Sequence, residues 1–321
     1  MNEKMLRICD LKVQFFSWRG IVKAVDGVNL EVDRGKIVGL VGETGCGKSA
    51  TALSIVKLVP PPGRIVHGEI WFEGENIVKK CEADMRKIRG RKISMIFQDP
   101  ASSLNPVYTV GDQVSEVILL HQKASKLESE AKTVKIFESV RIPSPSTAVN
   151  FYPHQLSGGM RQRIMISMAI ACNPSLIIAD EPTSNLDVTT QAQILELLKC
   201  LRKDFDTSIL LITHDLGVAA WICDEVYVMY AGNIVESADV KTIYKNPKHP
   251  YTSALLCAIP HIGNRKTKLA TIEGVVPSLI SPPPGCRFHP RCPHVMEICK
   301  TQEPRDIELN RGHRVKCFLY N

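Results

Sequence analysis

No apolar run in this chain approaches the ~18 residues that a membrane-spanning helix requires, so no segment reads as crossing a bilayer. The opening Met1-Asn-Glu-Lys-Met-Leu-Arg has no apolar signal core, which leaves a cytoplasmic protein as the expectation. Sustained heptads are missing, and with them any long coiled coil. Nor is there a C-x₂₋₄-C pair of the kind that structural zinc sites favour. Charge of one sign is not in large excess: a net +7 gives only mild support to a nucleic-acid partner.

What is present is ordinary in bulk. Hydrophobic residues at 44% and charged residues at 23% fit a globular chain, and 321 residues allow one large domain plus a small one. Basic residues are dispersed except for Arg86-Lys-Ile-Arg-Gly-Arg-Lys92, read as a solvated face, with a phosphate or anionic-lipid contact as the alternative. Cysteine is plentiful, at eleven. In a reducing compartment these are not disulfides, and Cys9, Cys81, Cys172, Cys200, Cys223 and Cys257 stand singly, as small hydrophobes do.

The stretch Gly42, Glu43, Thr44, Gly45, Cys46, Gly47, Lys48, Ser49 fits G-x-x-x-x-G-K-[ST] at every fixed position. Before it, Lys36-Ile-Val-Gly-Leu-Val41 suits a buried strand. After it, Ala50 opens a helical stretch that Pro60-Pro61-Pro62 must stop near Val59. Strand, glycine loop and helix make a phosphate cradle: backbone N–H groups and the positive helix end face an anion. Lys48 then reaches the terminal phosphates and Ser49 ligates Mg²⁺.

Upstream, Leu11–Phe16 and Val25–Val32 alternate polar and apolar residues as half-buried strands of a small antiparallel sheet do. Phe16 or Trp18 offers a flat face for a base, with core packing an equal alternative for both. Lys92–Phe97 reads as a buried strand that delivers Gln98 at its end, and Val110 to about Val140 as helical. Ser157 with Gly158 and Gly159 opens a further helix. Leu176–Glu181 is an apolar strand ending in Asp180 and Glu181, and Ser208–Thr213 another ending at His214. Parallel strands bring such termini to one edge, beyond which ligands lie.

This set of residues resembles the ATP-binding subunits of ABC transporters. It comprises the Walker A loop 42–49, the Gln98 loop, the signature Leu156-Ser-Gly-Gly-Met-Arg-Gln162, Walker B at 176–181, the loop Ser184-Asn-Leu-Asp187 and the His214 switch. The segments 42–55, 62–70 and His249-Pro-Tyr-Thr-Ser-Ala-Leu-Leu256 are similar to oligopeptide and dipeptide importers, to the D-type of their two ATPases. Thr44 departs from the usual serine, and Ser184-Asn185 from the commoner Thr-Ala; neither removes a reacting group. The fold implied is an α/β P-loop NTPase core with an antiparallel β subdomain and a helical insertion over about 100–165, all within 1–250. A small irregular cysteine-containing extension follows at 251–321.

The resemblance also implies roles. ATP with Mg²⁺ is held by residues 42–50 and Gln98, the Mg²⁺ by Ser49, Gln98 and Asp180. Glu181 polarises water and His214 senses the γ-phosphate. Ser157, Gly158, Gly159 and Gln162 act on the nucleotide of an opposite subunit, and Asp187 belongs to the D-loop. Partners implied are a second ATPase in a heterodimer or homodimer, two membrane permeases and an extracytoplasmic solute-binding protein, with no nucleic acid. The chain would sit peripherally on the cytoplasmic face of the membrane. Two other classes compete: a soluble ABC ATPase on DNA or ribosomes, which a single cassette without a coiled coil disfavours, and a metal-sensing regulator.

Cys286, Cys292, Cys299 and Cys317 have five, six and seventeen residues between neighbours, a spacing compatible with tetrahedral zinc or with a [4Fe–4S] cluster. The resemblance favours the cluster, because some peptide-importer ATPases carry one on such a tail. Zinc and unligated core cysteines are the alternatives; His289, His294 and His313 are expected at solvated loop positions and are nearby substitutes for a mixed ligand set.

Overall fold

A computed structural model describes residues 4–259, 272–310 and 312–320. The chain forms two compact units. One comprises 79–211 with short pieces at 4–5 and 33–36; the other comprises 6–32, 37–78 and the described residues from 212 onward. Twelve strands occur among the described residues: β1 (Lys4–Ser17), β2 (Gly20–Asp33), β3 (Ile37–Val41), β4 (Gly63–Phe72), β5 (Glu75–Asn76), β6 (Ile93–Ile96), β7 (Leu176–Asp180), β8 (Ser208–Thr213), β9 (Glu225–Tyr230), β10 (Asn233–Asp239), β11 (Ile307–Asn310) and β12 (His313–Val315).

In the first unit β6 runs parallel to β7, in register from Ile93↔Leu176 to Ile96↔Ala179. Every residue of β7 is buried, as expected of a strand covered on both faces. The helices Val110–His121, Lys126–Ser139 and Gly158–Ile170 pack together around Val114, Ile118, Phe137 and Ile164. A single helical span over 110–140 is thus broken. Ser125 Oγ accepts from Glu128 N while the Glu128 carboxylate accepts from Ser125 N (2.7 Å), a reciprocal cap that starts a new helix. The basic run at 86–92 lies on and after the helix Glu82–Ile88, where Arg89 pairs with Glu82 (2.6 Å) and Lys87 with Asp84 (3.0 Å).

The second unit holds the antiparallel order β2-β1-β4-β5, whose first two strands are 14 residues each, longer than their alternating runs. It also holds the order β11-β12-β10-β9-β3. There β3 is parallel to β9, while β9 and β10 form a hairpin through Ala231-Gly232, with φ of 44° and 88°. Two central residues with positive φ match the right-handed strand twist of a tight hairpin. The tail contributes regular structure: β12 pairs antiparallel with β10, Glu236 opposite Val315.

The helix after the cradle, Lys48–Ile55, stops short of the prolines. Lys57 N donates to Ser54 O (3.1 Å) and Leu58 N to Leu53 O (2.8 Å), with Lys57 at φ 50°. Those two bonds are the 5→2 and 6→1 pair of a Schellman ending.

Candidate functional site

In the second unit, β3 ends at the glycine loop. Gly42 and Gly47 are required by close approach: a Cβ on Gly42 would lie 2.1 Å from Met229 O, and one on Gly47, at φ 113°, 2.3 Å from Ala24 O. The loop therefore sits against the β9–β10 hairpin, where Gly232 N also donates to Cys46 O (2.8 Å). Lys48 is buried, and its Nζ donates to Gly42 O (2.7 Å) and Glu43 O (3.0 Å). Thr44, Gly45 and Ser49 are exposed, Ala50 half-buried. Cys46 is buried beside Lys48, and desolvation pushes its thiol up.

Glu43 carries contacts that no motif indicated. Its backbone N donates to Tyr251 Oη (3.0 Å), and its carboxylate receives both terminal nitrogens of Arg291 (2.8 and 3.1 Å). Tyr230, Tyr251 and Phe288 cluster behind it, with ring centroids 4.6–5.3 Å apart. His214, after β8, is exposed. The next residue, Asp215, caps the helix Leu216–Ile222 by accepting from Gly217 N (2.7 Å) and Val218 N (3.3 Å). Phe16 and Trp18 are exposed beside arginines, Arg64 over Phe16 and Arg19 over Trp18.

In the first unit the parallel pair β6 and β7 does what its sequence implied: both strands end at one edge. Gln98 Nε2 donates to Glu181 Oε2 (2.9 Å), and Ser184 Oγ lies 2.9 Å from Glu181 O and 3.2 Å from Gln98 O. Asp180 is buried at the end of β7, and Glu181 is held at φ 47°. A non-glycine residue in that region costs on the order of 1 kcal/mol, a strain that persists where surrounding contacts over-determine it.

Also in this unit, Ser157 caps the helix Gly158–Ile170 by accepting from Met160 N (3.3 Å). Asp187 caps Val188–Phe205 through Thr190 N (2.9 Å) and Thr190 Oγ1 (2.7 Å), and the bonds to Thr190 hold its carboxyl below the usual range. Ser157, Gly158, Gly159, Asn185 and Asp187 line one hollow of about 420 Å³. Gln162, on the same helix, is buried away from it at 2% exposure.

In the second unit the glycines and N–H groups of 42–50, with the Ser49 hydroxyl, have the chemistry of a polyphosphate cradle; in the first, the Gln98 amide and the Asp180 and Glu181 carboxylates are oxygen donors of the kind a hard divalent cation takes.

Two family models match the chain: ABC transporter over residues 25–184, and oligopeptide/dipeptide transporter, C-terminal region, over 235–299. An oligopeptide transport ATP-binding protein, AppD of Bacillus subtilis, is 48% identical over 317 residues, 98% of this chain and 97% of its own. The dipeptide transport ATP-binding protein DppD of the same organism is 46% identical, covering 99% and 95%. Among solved structures, a dimeric post-hydrolysis state of the ATP-binding cassette MJ0796 bound to ADP and Pi superposes with a TM-score of 0.67 at 26% identity. It covers 74% of this chain and 99% of its own.

The tail corrects one expectation. Among the described residues no three His, Cys, Asp or Glu side chains are grouped as a metal site, and the relatives are named as ATP-binding transport proteins, so neither the [4Fe–4S] cluster nor its zinc alternative stands. Cys286, Cys292 and Cys317 are half-buried and Cys299 buried. Cys286 N donates to Cys299 O (2.9 Å), and burial pushes the Cys286 thiol up to about 11. These cysteines pack the tail. His313 is not a solvated loop residue either: it lies buried against the buried Glu236, with Nε2 2.8 Å from Oε1.

Proposed function

Because the chain belongs to the ABC transporter family of ATP-hydrolysing cassettes, we propose that it is the subunit that powers import of oligopeptides or dipeptides through two membrane permeases. The observation that carries the reading is the Gln98–Glu181 hydrogen bond (2.9 Å) at the carboxyl ends of two parallel strands. It orients a carboxylate before any substrate arrives, which is what activation of a water for phosphoryl transfer requires.

The remaining residues take complementary parts. The N–H groups of 42–50 and the helix N-terminus at Lys48 cradle phosphates, and Lys48 supplies a point charge to the terminal ones. Ser49, Gln98 and Asp180 are the oxygen donors for Mg²⁺, which supplies charge neutralisation when bound. His214, on an exposed strand end, contacts the γ-phosphate. Ser157, Gly158 and Gly159 serve the nucleotide of an opposite ATPase, with Gln162 buried beneath them and Asp187 beside them. ATP thus binds two cassettes together, and its hydrolysis releases them. No helix among the described residues is long and apolar enough to cross a membrane, so membrane association would be peripheral, through the permeases. A second ATPase of the same kind and an extracytoplasmic binding protein complete the assembly.

The test is Glu181→Gln. Turnover should fall by at least ~100-fold while ATP binding is kept, because only the water-polarising group is lost. Steady-state hydrolysis and calorimetric affinity measure the two, and near-normal hydrolysis would remove Glu181 from the role.

A further inference from the structure

All five N–H donors of Arg291 have fixed partners. Nη1 and Nη2 take the two oxygens of Glu43 at 2.8 and 3.1 Å. Nη1 also faces Tyr230 Oη (3.4 Å), Nη2 faces Ile272 O (3.3 Å) and Nε donates to Glu273 O (3.0 Å). The Arg291 side chain is 4% exposed, and Glu43 holds its guanidinium charged beyond the ordinary arginine range. Glu43 is the second residue of the phosphate cradle, and its own carbonyl accepts from Lys48 Nζ (3.0 Å). Four residues earlier, Arg287 donates to Ala231 O and to Asp26 Oδ2, gripping the hairpin on which the cradle rests.

We propose that Arg291 is a positioning residue for nucleotide binding: through Glu43 it fixes the start of the cradle and offsets a carboxylate that would repel a polyphosphate. The proposal rests on reading residues 42–49 as the ATP cradle. Two features separate it from an ion pair that only stabilises the fold. The carboxylate belongs to the loop whose N–H groups face the ligand, and the same residue's carbonyl sets where Lys48 lies. A buried pair is by itself weak support for stability. An arginine is needed, because a lysine has three donors on a point charge and cannot match a carboxylate side-on while also serving a hydroxyl and two carbonyls.

The experiment measures Mg-ATP binding to full-length variants by calorimetry, with steady-state KM, kcat and melting temperature alongside. Arg291→Ala should raise both Kd and KM by ~10-fold with kcat within about threefold, the split expected of lost binding. Arg291→Lys should not restore affinity. Arg291→Ala/Glu43→Gln should bind no more weakly than Arg291→Ala, since contacting partners are non-additive. Should the alanine variant fail to fold, Arg291→Met, which keeps the stem's packing, is measured in its place. An Arg291 variant with Kd within about twofold of the wild type, or losses that multiply in the double variant, would overturn the proposal. Lys48→Ala is the control: if it binds ATP normally, the cradle reading fails. If it loses ATP while the Arg291 variant keeps it, only the positioning role fails.

Discussion

His249 sits at 1% exposure with its Nδ1 accepting from Tyr251 N (3.1 Å), and burial pushes its pKa down to about 3. The unfolded chain takes up that proton near the ordinary value of 6.5, whereas the folded chain does not until about pH 3. Stability from this group is therefore complete above about pH 6.5 and is lost as pH falls below it, by up to ~1.4 kcal/mol per pH unit. Glu236, which accepts from His249 N (2.9 Å) and Lys248 N (2.7 Å) and faces His313, is the buried carboxyl side chain beside it. His249→Asn keeps an acceptor for Tyr251 N and should flatten the slope of unfolding free energy between pH 7 and pH 5. A variant slope equal to the wild type's would remove His249 as the source of the dependence. At this scale the sequence pointed to Lys48, Gln98, Asp180 and Glu181 as candidates because each stands within a short local pattern. Arg291 and Tyr251 were not legible: their partner Glu43 is 248 and 208 positions away, and no local spacing encodes such a pair.

Among the elements, buried strands were read well because continuous apolar runs leave little choice. β8 is the run Ser208–Thr213 itself, and β7 ends one residue before Glu181. Helix ends were read less well. The stop at Ile55 depends on Lys57 adopting φ 50°, which composition does not announce in a residue other than glycine. The hairpin at Ala231-Gly232 lacks the Asn-Gly signal of such turns, and β11 and β12 are too short for periodicity to reveal. The break after His121 yields a prediction that belongs here. Ser125→Ala removes one half of the reciprocal cap and should cost ~1 kcal/mol of stability, read by denaturant unfolding, with ATP affinity unchanged. No loss of stability would mean that packing of Phe137 and its neighbours alone sets where the second helix begins.

For the molecule as a working ATPase, the proposed division of labour between protomers makes an isolated chain a poor enzyme. Gly158→Asp tests this because the site has room: a Cβ there meets only Leu186 Cδ2, at 3.6 Å. The added charge should repel the opposite nucleotide without unfolding its own chain. A mixture of Lys48→Ala and Gly158→Asp chains should hydrolyse ATP faster than either alone, since one of the two mixed sites is intact. If both variants fold and dimerise and the mixture stays inactive, sites shared between protomers are not supported.

The distance along the chain between Glu43 and Arg291 also bears on how the protein is made. A ribosome adding ~5–20 residues per second delivers Arg291 on the order of 10–50 s after Glu43. Throughout that interval the emerging polypeptide already holds every residue of the glycine loop, and then the strand-end carboxylates, yet nothing occupies the place of the guanidinium. On the role proposed for Arg291, a nascent chain would bind ATP about tenfold more weakly until its tail has joined the fold.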